Sequence, residues 1–167
     1  MRVCQCRVLE IRFAPMSSEK EQQYAKCRER AVALCEGERD VIAKMASLVG
    51  VLHNEMAQYY WTGFYRVVGG DLLIGPYQGT VGCVHIKFGR GVCGTALKLE
   101  ETQVVPDVCK VPEHIACDSR TRSEIVVPVR DASGEIIAVL DVDSTEEGTF
   151  DEVDQRELER MVAEIFS

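Results

Sequence analysis

Residues Cys83–Leu97 read C-V-H-I-K-F-G-R-G-V-C-G-T-A-L; after a charged hinge over 98–102 the chain continues Q-V-V-P-D-V-C-K-V-P-E-H-I-A-C to Cys117. Cys83, Cys93, Cys109 and Cys117 all fall in this stretch, and no two of them form a C-x-x-C pair. A zinc ribbon or a thioredoxin-type redox pair is therefore not written here. Thiols spread along an excursion can be gathered by folding, which points to cysteine redox chemistry. A free cysteine is also a good small apolar core residue, and for one thiol taken alone burial is the commoner role; burial is the expectation for Cys109. Gly89 and Gly91 bracket a turn into a short helix over 92–97, and 81–88 before it reads as a strand.

Outward from this stretch the chain is more regular. Ser18 with Glu21 three residues on forms a capping box, so a helix is expected to start there and run to about Cys35, where Gly37 breaks it. A second helix is expected from about Glu38 to Met56, because Val41, Ile42, Met45, Leu48, Val49 and Leu52 recur at three- and four-residue steps. Cys27 and Cys35 read as helix packing residues and His53 as a polar helix-end residue. Tyr59–Val68 is aromatic and β-branched with alternation, hence a strand. Gly69-Gly70 turns it back into 71–75, with a break expected at Pro76 and Gly79. Further on, 102–106 is short and extended, and 111–123 is irregular. Strands over 124–130 and 135–143 flank a turn at 131–134, and a closing helix covers 150–166 with Asp151 near its start. Helices on one face of an antiparallel sheet, with the cysteine excursion on the other, make an α+β domain.

The 167 residues suffice for one domain with its own core. Hydrophobic residues are 46% and charged residues 28%, ordinary globular values. A net charge of −8 argues against nucleic acid and anionic membranes as partners, and no apolar run is long enough to span a bilayer. Arg7, Glu10 and Arg12 interrupt any signal-peptide core, so the eight cysteines are expected to be cytoplasmic thiols, reduced at rest. Residues 1–16 read as an extension and 17–167 as the domain.

The wording of the chain then narrows the choice. W-T-G-F-Y (61–65), L-L-I-G-P-Y-Q-G (72–79), G-R-G-V-C-G-T-A (89–96), H-I-A-C-D-S (114–119), S-E-I-V-V-P-V (123–129) and L-D-V-D-S (140–144) follow one another in order. This series resembles the free methionine-R-sulfoxide reductases, a single-domain branch of the GAF fold. The resemblance implies reduction of free L-methionine-(R)-S-oxide by a thiolate. A cysteine sulfenic acid would condense to an intramolecular disulfide, which thioredoxin or a similar dithiol recycles. It implies no bound cofactor, a role under oxidative stress, and leaves a homodimer open. Carried over residue by residue, Cys117 is the nucleophile, Cys83 the first resolving thiol and Cys93 a second resolving or relay thiol. Spacing alone does not rank them, and Cys93 is the rival nucleophile. Trp61 would wall the pocket beside the substrate methyl, with Tyr65 and Tyr77 as lesser lining residues. Amides near Ala116-Cys117 would hold the substrate carboxylate.

Glu124, Asp141 and Asp143 are the family's pocket acids. The alternation in L-D-V-D-S puts Asp141 and Asp143 on one strand face, and Glu124 opens the partner strand, so the three can converge. Converged carboxylates raise one another's pKa and let one donate a proton near neutrality. Without the resemblance, a solvated acidic edge is the simpler reading in a chain with 27 acidic residues; a Mg²⁺ or Ca²⁺ site lacks a ligand loop, and no metal is expected. His85, His114, Ser119 and Ser144 receive no catalytic role. The alternative function is a non-catalytic GAF module that senses a small ligand.

Overall fold

A computed structural model describes residues 18–111 and 118–167. Helix α1 is Glu19–Cys35; Ser18 caps it, with Glu21 returning the bond to complete the capping box. Helix α2 is Val41–Glu55. It starts later than the periodicity suggests because Asp40 accepts from the Ala43 amide and so ends the non-helical stretch. Strands β1 (Trp61–Val68) and β2 (Asp71–Gln78) are joined at Gly69 and Gly70, both at positive φ. Strand β3 is only His85–Ile86, α3 is Gly91–Leu99, and β4 is Gln103–Val105. A one-turn 3₁₀ helix at Val108–Lys110 follows, then β5 (Ser123–Arg130), β6 (Ile136–Ser144) and α4 (Glu152–Phe166).

Six strands form one antiparallel sheet in the order β3-β2-β1-β6-β5-β4. Alternation sorts its side chains onto two faces. Phe64, Ile125, Val127, Ala138, Leu140 and Val142 pack beneath α1, α2 and α4 with Tyr24, Met45, Leu48, Leu52, Leu158 and Met161. On the opposite face Trp61, Tyr65, Leu72, Val126 and Val139 pack against α3 through Val92, Cys93, Ala96 and Leu97. The expected arrangement, terminal helices on one face and the excursion on the other, is the one observed.

Two strand boundaries differ from expectation for stated reasons. β2 runs through Pro76 because Gly75 and Pro76 lie at a register irregularity opposite Phe64, where a missing N–H breaks no ladder bond. The strand expected over 81–88 shrinks to two residues, since β2 pairs with β3 only at Leu72 and Leu73. The 3₁₀ turn at 108–110 has no apolar period to announce it. Residues 1–16, read as an extension, lie outside the described residues.

Candidate active site

The cleft on the α3 face is built from strand register. Trp61 on β1 pairs with Asp143 on β6, and Gly63 pairs with Asp141. Across the other edge of β6, Glu124 pairs with Asp143 and Val126 with Asp141. All these residues point to one face, so three carboxylates meet beside one indole. Gly63 leaves room for the Trp61 indole, as a Cβ there would come within 2.5 Å of Trp61 Cη2. From the facing helix Cys93 brings its sulfur 3.9 Å from Glu124 Oε1.

Trp61 is held by two rings and a hydrogen bond. It stacks on Tyr65 (centroids 5.9 Å apart) and on Tyr77 (5.4 Å), and its Nε1 donates to the Thr80 carbonyl at 2.9 Å. Asp118, Thr121, Arg90, Val81 and Gly82 complete the wall of a partly enclosed cleft of about 500 Å³ counted out to its open mouth.

Burial governs the chemistry. Glu124 and Asp141 are only 5% and 6% exposed. Desolvation, then Asp143 and Glu124, push the Asp141 carboxyl well above the usual range; desolvation, then Glu124 and Asp118, do the same to Asp143. Asp141 Oδ1 is buried without a hydrogen-bond partner, an arrangement that favours an incoming donor. Burial, then Asp141 and Glu124, also push the Cys93 thiol well up, so it rests protonated. Such a site can hold and give protons, and can receive an ammonium. Cys93, Glu124 and Asp141 each offer a ligand atom within 4.8 Å of the others. The raised pKa values of Cys93 and Asp141 set protons in direct competition with any cation there.

The remaining sequence candidates are distributed as follows. Cys83 is half-buried in the loop before β3 and is disulfide-bonded, whereas Cys27, Cys35, Cys93 and Cys109 are free. Cys117, Ala116 and His114 lie outside the described residues. Tyr65 is buried at the cleft, and Tyr77 backs Trp61 from β2. Cys27 and Cys35 are buried helix residues, with burial pushing Cys27 up to about 11. His53 contacts Thr62 Oγ1 at 3.3 Å, and His85 is exposed. Cys109 contradicts the expected burial: it is exposed, because Val108 takes the inward position of the 3₁₀ turn, and Arg122 Nη1 reaches its sulfur at 3.3 Å. Asp118, Thr80 and Thr121 are lining residues that sequence reasoning missed. The available signal was a carboxylate directly after Cys117.

Comparison with known proteins follows the same lines. The GAF domain family matches residues 21–167. The chain is 39% identical over 146 residues to the free methionine-R-sulfoxide reductase of Escherichia coli, covering 87% of this chain and 88% of that one. It is 44% identical over 124 residues to the Saccharomyces cerevisiae protein of the same name, covering 72% and 69%. The X-ray structure of the free methionine-R-sulfoxide reductase of Neisseria meningitidis in complex with its substrate superposes with a TM-score of 0.84 at 38% identity, covering 90% of each chain.

Proposed function

The chain belongs to the GAF family and, within it, to the free methionine-R-sulfoxide reductases, and from that premise we propose that it reduces free L-methionine-(R)-S-oxide to methionine by cysteine chemistry in the cleft beside Trp61. The observation that carries this reading is the cluster of buried Glu124 and Asp141 with half-buried Asp143 under an aromatic wall, with Asp141 Oδ1 left without a partner. An ionised member of the group holds the substrate ammonium. A protonated member, Asp141 or Asp143, donates to the sulfoxide oxygen. Trp61 lies against the methyl group, where sulfur–aromatic and methyl–aromatic contacts are favourable, and amides at Ala116-Cys117 take the carboxylate.

The Cys117 thiolate attacks the sulfoxide sulfur. The S–O bond breaks, the oxygen passes to Cys117 as a sulfenic acid, and methionine leaves reduced by two electrons. Cys83 condenses with the sulfenic acid, releasing water and forming a Cys83–Cys117 disulfide. Thioredoxin or another dithiol reduces that disulfide and is itself oxidised. Cys93 serves as a reserve or relay thiol. Its burial among carboxylates, which keeps the sulfur protonated, supports Cys117 over Cys93 as nucleophile. Residues 17–167 make up the catalytic domain, working in the cytoplasm on a free amino acid and a dithiol protein.

The test is stereochemical. Given a dithiol, the protein should convert only the R epimer of free methionine sulfoxide, because a cleft that fixes the ammonium on the carboxylates and the methyl against Trp61 holds the sulfur one way round. Equal use of the S epimer, good activity on a sulfoxide inside a peptide, or no methionine from folded protein would each defeat the proposal.

A further inference from the structure

Asp118 directly follows Cys117 in the chain, and its carboxylate collects bonds from three directions. Tyr60 Oη donates to Oδ2 at 2.9 Å, and Thr80 Oγ1 donates to the same oxygen at 2.8 Å. Arg120 closes the remaining side: Nη2 donates to Oδ2 at 2.8 Å, Nε to Oδ1 at 3.1 Å, and its own amide to Oδ1 at 2.9 Å. The Arg120 guanidinium also lies 5.0 Å over the Tyr60 ring. A turn over 118–121 needs only the bond to the Arg120 amide. The bonds to Tyr60 and Thr80 reach across 58 and 38 residues of sequence and serve something other than the turn.

Of those two partners Thr80 lines the cleft, and Tyr60 packs behind it. Tyr60 precedes Trp61, and its amide donates to the Asp143 carbonyl at 2.8 Å. The Thr80 carbonyl receives the Trp61 indole N–H, and Thr80 shares a loop with Cys83. Two hydrogen bonds therefore lead from Asp118 to the indole, and one covalent step leads from Asp118 to Cys117.

We propose that Asp118 is a positioning residue for the reduction, its carboxylate tying the chain that carries Cys117 to Tyr60, Thr80 and thereby to Trp61. The proposal rests on Cys117 being the nucleophile. Asp118 has a second, electrostatic effect. Arg120 foremost, then Thr80 and Tyr60, hold it well below the usual carboxylate range, so it stays ionised. Among the described residues, the titratable and charged groups around Asp143 are Glu124 from β5, Asp141 from β6, Cys93 from α3, Tyr65 from β1, Arg90 on the cleft wall, and Asp118 with its partner Arg120. Within that set Asp118 is an anion that helps Asp143 keep its proton.

The experiment measures methionine release in a single turnover by protein reduced beforehand and freed of reductant, together with steady-state kcat and KM, for Asp118→Ala, Asp118→Asn, Tyr60→Phe and Thr80→Val. Misplacing the nucleophile by about 1 Å costs up to ~100-fold in rate. Asp118→Ala should therefore lower the single-turnover rate and kcat by about 10–100-fold. KM should stay within roughly threefold, because Glu124, Asp141 and Asp143 remain to hold the ammonium. Asp118→Asn should move the alkaline fall of the rate to lower pH, since losing the anion lets Asp143 ionise sooner. Tyr60→Phe and Thr80→Val should each show part of the loss, and either one combined with Asp118→Ala should add little to Asp118→Ala alone. If Asp118→Ala does not fold, the two donor variants and the pH profile of Asp118→Asn decide. Unchanged rates, a rise in KM alone, an unmoved alkaline limb or simply additive losses would overturn the proposal. Full release by Cys117→Ser would instead sink the nucleophile assignment, whatever Asp118 does.

Discussion

Gly63→Ala is the most exacting test of the Trp61 wall. The added Cβ would stand 2.5 Å from Trp61 Cη2 and 2.8 Å from Cζ3, and would also press on the Tyr77 Cβ. Ordinary contact begins at 3.4 Å, so the indole must retreat by most of an ångström. It has little freedom to do so, being stacked on both Tyr65 and Tyr77 and bonded to the Thr80 carbonyl. Gly63 has no positive φ, so the backbone accepts alanine and the effect is steric alone. Overpacking of this kind costs about 1–3 kcal/mol, which in a domain of this size lowers Tm by roughly 2–12 °C. Losing the aromatic contact to the substrate methyl removes about 0.3–1.5 kcal/mol, roughly twofold to tenfold in binding. Displacing the sulfur by about 1 Å adds up to ~100-fold in rate. Together kcat/KM for free methionine-R-sulfoxide should fall by at least about twofold and by up to about 1000-fold. Adding Trp61→Phe to Gly63→Ala deletes the clashing ring atoms and should restore part of the lost Tm without restoring kcat/KM. Thermal melts and steady-state assays read both quantities. A Gly63→Ala protein with wild-type kcat/KM would show that Trp61 does not shape the reacting geometry.

The acids give two further expectations. Glu124→Gln, Asp141→Asn and Asp143→Asn should each lower turnover or binding in a folded protein; three variants with wild-type kinetics would leave the cluster no chemical role. Asp141 and Asp143 have raised folded pKa values, so their stability contribution is full below the unfolded value of about 3.9 and is lost as pH rises through the folded values. Asp141→Asn should therefore be more stable than wild type near neutrality, with the gap narrowing toward pH 4, as melts across that range will read; a variant less stable at pH 7 than at pH 4, relative to wild type, contradicts the burial argument.

Much of this architecture is legible in the chain because its cues are local. Ser18 with Glu21, the Gly69-Gly70 pair and the alternation of L-D-V-D-S each set a cap, a turn or a face through neighbouring residues alone. That alternation, set against Glu124 on the next strand, is enough to bring the carboxylates to one face. What is not legible depends on distant partners. Residues 81–88 look like a strand, but a strand needs ladder partners, and β2 pairs with this segment only through Leu72 and Leu73. Pro76 looks like a break until the irregularity opposite Phe64 is seen. Cys109 follows the usual tendency of cysteine to be buried until Val108 takes the inward place. Asp118 has one local cue, its place directly after Cys117, but its partners Tyr60 and Thr80 lie far along the chain and no local pattern names them.

The central claim, that Cys117 attacks the sulfoxide and Cys83 resolves the product, is tested most directly by reducing the protein, removing the reductant, and counting methionine released per protein in one turnover. Wild type and Cys83→Ser should each release about one methionine, because resolution follows the chemical step; Cys83→Ser should then carry a trappable sulfenic acid on Cys117, and Cys117→Ser should release none. A full burst from Cys117→Ser with none from Cys93→Ser would contradict the claim and make Cys93 the nucleophile.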